Sequence, residues 1–180
     1  MLIKKICLLI FFFFMGNISL VFADEVASSF TLFSKPIALS PTARFYTKND
    51  SVFLSSYKGK VVVLNFWKPT CLKCLIEMPS LYELKKRFKD DIVVLAIAEG
   101  DSDYETVKGV LHTQRQFYDI PITLDKNAQL MSSVGAPKVP HTRLINKAGE
   151  MVGYIQGEAN FKSEEIINQI QNLISEKTDF

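Results

Sequence analysis

Two cysteines with two residues between them, Cys71-Leu72-Lys73-Cys74, are the side chains of this 180-residue sequence best suited to chemistry. A thiol pair at that spacing can carry two electrons: one sulfur attacks a disulfide as the thiolate, and the other displaces what the first has captured. A structural cystine and half of a metal site are the alternatives. As a staple the pair is poor, since closing so short a loop stabilises a fold by about 2 kcal/mol at best. A zinc site wants four ligands, and the only histidines are His112 and His141.

The elements around the pair place it. Residues 61–67, VVVLNFW, form an apolar, β-branched run of the kind expected for a strand buried on both faces. Lys68-Pro69-Thr70 breaks that run. Beyond the cysteines, Leu75, Met78, Leu81, Leu84 and Phe88 recur at three- and four-residue steps and predict an amphipathic helix. A strand therefore delivers Cys71 to a helix start, where unpaired N–H groups and the positive end of the macrodipole favour an anion. Thiols at such positions ionise at roughly 3.5–7.5 instead of about 8.5. Cys71 is thus the expected nucleophile and Cys74, one turn inward, the expected resolving thiol. Lys73 either adds to the positive field or is a solvated helix residue. Pro79 is expected to kink this helix or to start a new helical segment, because it cannot donate to residue 75.

The remaining chain reads as strands and helices in alternation. Residues 24–43 lack clear periodicity and read as a surface segment or an irregular lead-in. Residues 43–46 and 51–54 flank Lys48-Asn49-Asp50 as a β-hairpin. A second buried strand follows at 91–98, and a helix begins near Asp101 and Asp103 with Val107, Val110, Leu111 and Phe117 as its apolar stripe. A short strand at 120–124, a short helix at 128–134 and a rigid loop at 135–140 lead to a hairpin of 141–146 and 151–156. Ser163 is placed to cap a last helix whose Ile166, Ile167, Ile170, Leu173 and Ile174 share one face. Such alternation, ending in a hairpin and a helix, indicates an α/β sandwich with a mixed sheet.

Residues 1–23 stand apart. Lys4 and Lys5 precede an apolar segment, and Val21-Phe22-Ala23 offers a cleavage site, so this stretch reads as a secretory signal peptide removed before Asp24. The alternative is an uncleaved membrane anchor through residues 6–23. Either reading exports the domain. Without residues 1–23 the three cysteines become two. The 21 basic residues become 19, against 19 acidic, so the mature chain is formally neutral. Neutrality removes the electrostatic footprint of a nucleic-acid binder.

Phe66-Trp67, the Cys71/Cys74 pair, Pro79 and Val139-Pro140 before the closing hairpin resemble the thioredoxin fold. Asn65-Phe66-Trp67 and Cys74-Leu75-Ile76-Glu77-Met78-Pro79 are similar to the exported TlpA/ResA-type thiol–disulfide oxidoreductases, and residues 51–60 to that group's N-terminal hairpin lead-in. The likeness spans roughly residues 45–173. It implies a thioredoxin-like three-layer sandwich over residues 44–177, helices on both faces of a mixed sheet and an N-terminal β-hairpin extension. It further implies a cis Pro140 that holds the Val139 backbone beside the cysteines, free to pair with an extended substrate. Thioredoxins place a buried acid where Asn65 stands; Asn cannot titrate, and Glu77, a glutamate the TlpA group shares, is the expected proton acceptor. A solvated helix glutamate is the other reading of Glu77. No cofactor is implied. The implied partners are a client protein with a disulfide or cysteine pair and a membrane thiol electron donor or acceptor. The implied role is a periplasmic reductant of the cytochrome c maturation kind.

Three positions depart from the pattern. Thr70 stands where most relatives have Trp before the first cysteine, Arg143 replaces the usual aromatic of the strand after the proline, and Leu72-Lys73 is neither Gly-Pro nor Pro-His. A reading of another class therefore accompanies the enzyme: a non-catalytic binding or copper-delivery module using Cys71, Cys74 and His141.

Overall fold

A computed structural model describes residues 25–100, 102–113 and 120–176. The expected signal segment 1–23, the helix-initiating Asp101 and Phe117 of the expected helical stripe lie outside the described residues. The strands are β1 (Thr31–Ala38), β2 (Arg44–Tyr46), β3 (Ser51–Phe53), β4 (Val61–Trp67), β5 (Ile92–Glu99), β6 (Thr123–Asp125), β7 (His141–Ile145) and β8 (Glu150–Gln156). The helices are α1 (Leu72–Phe88), α2 (Tyr104–Thr113), α3 (Gln129–Ser133) and α4 (Glu164–Ser175).

The strands form one mixed sheet in the order β1-β8-β7-β4-β5-β6-β2-β3. β4 is central and every residue of it is buried, as its unbroken apolar run requires. It runs parallel to β5 and antiparallel to β7, so Phe66 pairs with His141 and Leu64 with Arg143. Alternation along β4 sorts its side chains to two layers. Val61, Val63 and Trp67 pack with Met78, Leu81 and Leu84 of α1, Val107 and Leu111 of α2, and Ile166, Ile167 and Ile170 of α4. Val62, Leu64 and Phe66 pack on the other side with Leu130 and Met131 of α3 and with Phe45 and Leu54 from the hairpin region. Each fully buried side chain of this size is worth roughly 1.5–3 kcal/mol of burial. Three helices thus cover one face, while the short α3 covers only part of the other.

The expected β-hairpin is present as β2 and β3, joined in register from Arg44–Phe53 to Tyr46–Ser51. The lead-in differs from expectation. Within residues 24–43, read as irregular, β1 adds an edge strand antiparallel to β8. Its side chains are almost all exposed, it contains Pro36, and its register shifts between Leu32 and Ile37. Proline and a bulge are tolerated at an unpaired edge and discourage further strands from adding there. Gly153 permits the close approach: a Cβ on it would lie 3.0 Å from both the Thr31 carbonyl oxygen and Leu32 Cδ2.

Of the two outcomes expected at Pro79, a new helical segment is not found: α1 continues through it as one helix, with Met78 and Leu81 fully buried against the sheet. Packing on both sides of the proline outweighs one missing hydrogen bond. Ser163 occupies the N-cap position of α4, but its hydroxyl does not cap the helix; it donates to the Ser28 carbonyl at 2.6 Å.

Candidate active site

β4 ends at Trp67, whose indole N–H donates to the Ala96 carbonyl at 3.3 Å and fixes the end of the strand in the core. Lys68 then forms an ion pair with Glu99 at the end of β5, Nζ to Oε2 2.6 Å, and its carbonyl accepts the Cys71 N–H at 3.0 Å. These contacts turn the chain so that Cys71 becomes the N-cap of α1, with extended backbone. Its Sγ accepts the Cys74 N–H at 3.2 Å. The sulfur therefore occupies the place usually held by a serine or aspartate oxygen, where an anion is stabilised by an otherwise unpaired helix N–H.

Cys71 and Cys74 form a disulfide with Cα atoms 5.2 Å apart. Cys71 is half-buried and Cys74 is fully buried. Cys71 is thus the more accessible of the two. Leu72 and Ile76, one turn apart on the outer side of α1, are 71% and 54% exposed, so the rim beside Cys71 is apolar.

Glu77 lies one turn beyond Cys74, a spacing that brings Cβ atoms within about 5–6 Å. It is buried, 2% exposed, and is not the solvated helix glutamate of the alternative reading. Its Oε1 accepts from the Asn65 side-chain amide at 2.8 Å, and its Oε2 accepts from the Ala159 backbone N–H at 2.9 Å. Burial drives its pKa up to about 7; the Asn65 and Ala159 hydrogen bonds pull it back, and the nearby charge of Glu158 raises it again. Asn65 also donates to Thr142 Oγ1 at 3.0 Å, so β4, α1 and β7 meet at one polar knot within the core. Ser80 extends the knot by accepting the Phe161 N–H at 3.2 Å and donating to the Glu77 carbonyl at 2.8 Å. The roles of Ala159, Thr142 and Ser80 were missed from sequence. The first contributes a backbone atom that no residue type announces, and the other two are ordinary hydroxyls until the fold brings them together.

The Val139–Pro140 peptide bond is cis. Val139 is half-buried and packs against the cluster containing Cys74 and Trp67, and its backbone makes no hydrogen bond among the described residues. His141 follows on β7 but points to the other side of the sheet, with its register partner Phe66. Among the described residues no group of three or more His, Cys, Asp or Glu could hold a metal ion. His141 therefore does not join Cys71 and Cys74 in a copper site.

A family model described as Redoxin matches residues 27–170. The chain belongs to the Redoxin family. This redoxin is 32% identical over 113 residues to the thiol-disulfide oxidoreductase ResA of Bacillus thuringiensis subsp. konkukian, a match covering 62% of this chain and 63% of that one. Against ResA of Bacillus subtilis the identity is 31% over 131 residues, covering 71% and 69% of the two chains. The chain thus aligns with a little under two thirds of the first of these relatives. The fold is that of a thiol:disulfide interchange protein of the thioredoxin family from Chlorobium tepidum TLS, with a TM-score of 0.63 at 18% identity over 79% of this chain and 99% of that one. The expected thioredoxin-like sandwich and the ResA-type resemblance are both borne out.

Proposed function

We propose that this redoxin is an exported thiol–disulfide oxidoreductase that reduces client proteins. The carrying observation is the half-buried Cys71 sulfur at the cap of α1, joined to a buried Cys74 and followed one turn later by a buried carboxyl whose pKa is about 7. In the dithiol form the Cys71 thiolate attacks one sulfur of a client disulfide, and the client's other sulfur leaves as a thiolate. Cys74 then gives its proton to ionised Glu77 and attacks Cys71 Sγ, releasing the second client sulfur. The client gains two electrons, and the protein is left with the Cys71–Cys74 disulfide. The free backbone of Val139, beside Pro140, supports pairing with an extended client segment as a short added strand.

The sequence of residues 1–23 supports export, and the ResA relatives support a reductant recharged by a membrane thiol donor. A role in cytochrome c maturation is the client assignment that likeness favours. The test is insulin reduction by the purified dithiol protein, with the Cys71–Cys74 reduction potential measured alongside. Cys71→Ser should abolish turnover, and Cys74→Ala should stop it at a trapped mixed disulfide. Turnover surviving both changes would eliminate the reading.

A further inference from the structure

The sheet face opposite α1 carries a second polar construction that the cysteine chemistry does not use. β7 sends His141 and Arg143 to that face, where α3 covers only the central strands. Arg143 is 7% exposed and His141 1% exposed, and both line an open groove of about 510 Å3 together with Phe33, Tyr154, Met151 and Pro137. The Arg143 guanidinium lies over the rings of Phe33 and Tyr154, 5.7 and 5.3 Å from their centroids. The His141 ring stacks on Tyr154 at 5.9 Å with an interplanar angle of 4°.

What is missing from this arrangement is an anion. Among the described residues no carboxylate pairs with Arg143; its one hydrogen bond runs from Nη2 to the Gly135 carbonyl at 2.6 Å, and Nε is buried without a partner. Both ring nitrogens of His141 are also buried without partners. Burial, and then the Arg143 charge, hold the imidazole down to about 4, so at neutral pH it is uncharged and offers one N–H donor. A buried cation without a counter-charge and an N–H without an acceptor are each costly, and an incoming carboxylate satisfies both at once. Phe33 and Tyr154 stack on each other, ring centroids 5.6 Å apart, and with Pro137 and Met151 they give the groove an apolar wall. A volume of this size lies within the range of small-molecule sites.

We propose that this groove binds a small free carboxylic acid bearing an apolar group, its carboxylate held by Arg143 and His141 and its apolar group against the wall of Phe33, Pro137 and Met151. 3-Phenylpropionate titrated into the purified, oxidised full-length protein, followed by NMR, should give saturable shifts at the Arg143 Nε–H and at the His141 and Tyr154 rings. 3-Phenylpropionamide, which keeps the shape and loses the charge, should bind at least about tenfold more weakly, as should Arg143→Met, while Arg143→Lys should retain part of the affinity. Equal binding of acid and amide, unchanged affinity in Arg143→Met, or no saturable shift at these residues would overturn the proposal. The acid–amide comparison uses the unaltered protein and decides the matter even should Arg143→Met fail to fold. Tighter binding of acetyl-Phe-Glu-amide than of 3-phenylpropionate would also overturn it, assigning the groove to an acidic peptide instead.

Discussion

Replacing Glu77 by Gln separates proton acceptance from packing, because Gln has nearly the same shape and cannot ionise. In the wild type the carboxyl has a pKa of about 7, so about half of it is available as a base at pH 7. Without that base Cys74 must ionise unaided. A thiol of ordinary pKa, about 8.5, is only about 3% thiolate at pH 7, so against a base that is half available the resolving step should slow roughly 15-fold, and more if burial raises the thiol further. The reaction of the dithiol protein with 5,5′-dithiobis(2-nitrobenzoate) reads the two steps separately in a stopped-flow instrument. The first nitrothiobenzoate released reports Cys71 attack and the second reports displacement by Cys74. In the wild type the second rate should rise through an inflection near pH 7. In Glu77→Gln it should be slower and climb about tenfold per pH unit towards pH 8.5, with the first step little changed. A variant whose second step keeps both the rate and the inflection would refute the assignment of Glu77 as the proton acceptor.

The same carboxyl makes a second, independent statement about stability. Its folded pKa of about 7 is raised above the ordinary 4.5, so between those values the folded state holds a proton that the unfolded state has released. Stability contributed by the protonated form is therefore present below pH 4.5 and is lost as pH rises through 7. The full difference is about 3 kcal/mol at about 1.4 kcal/mol per unit. His141, held down to about 4 against an ordinary 6.5, works in the opposite direction, its contribution being lost as pH falls below 6.5. The Glu77 part is therefore read as a difference: in urea unfolding at pH 5 and pH 8 the oxidised wild type should lose stability of that order on the alkaline side relative to Glu77→Gln. In Glu77→Gln only the opposite His141 trend should remain, stability rising from pH 5 to pH 8. A wild type that loses no stability relative to Glu77→Gln over this interval would contradict the buried-carboxyl account whatever the kinetics gave.

Two further changes test the scaffold around the site. Asn65→Leu removes the amide that lowers the Glu77 pKa, so the inflection of the second nitrothiobenzoate release should move above pH 7; a shift downward would show that another group sets it. Gly153→Ala pushes a methyl group to 3.0 Å from the Thr31 carbonyl and should cost about 1–3 kcal/mol in urea unfolding while exposing β1 amides to hydrogen exchange, whereas unchanged exchange in β1 would mean that the edge strand is not held by this approach.

The parts of this fold that were legible in the sequence are those whose causes are local. β4 is buried on both faces, so its seven residues read as one apolar run, and a strand ending in Lys68-Pro69-Thr70 must hand Cys71 to whatever follows. Glu77 was legible for the same reason, since three residues after Cys74 is the same side of a helix whatever the tertiary structure does. The errors share a different cause. β1 shows no alternation because an edge strand with nearly all its side chains in water has no buried face to mark, and Pro36 argues against a strand unless the edge is known. Pro79 and Ser163 each obey a local rule that distant atoms override: the core contacts of Met78 and Leu81 carry α1 past the proline, and Ser28, 135 residues away in sequence, takes the hydroxyl that would have capped α4.

The chemistry of the site falls on both sides of that divide. Position on the helix gives Glu77 its nearness to Cys74, but its pKa depends on burial together with a side chain on β4 and a backbone N–H 82 residues away. A glutamate at this place in a chain whose 159–161 loop sat elsewhere would lose the Ala159 hydrogen bond that now favours its ionised form. With burial unchanged it would then titrate higher and be protonated, useless as a base, at pH 7. On the proposed mechanism the cysteine spacing allows disulfide exchange, whereas the pH at which its second step runs would follow from how β4, β7 and the 159–161 loop close over α1.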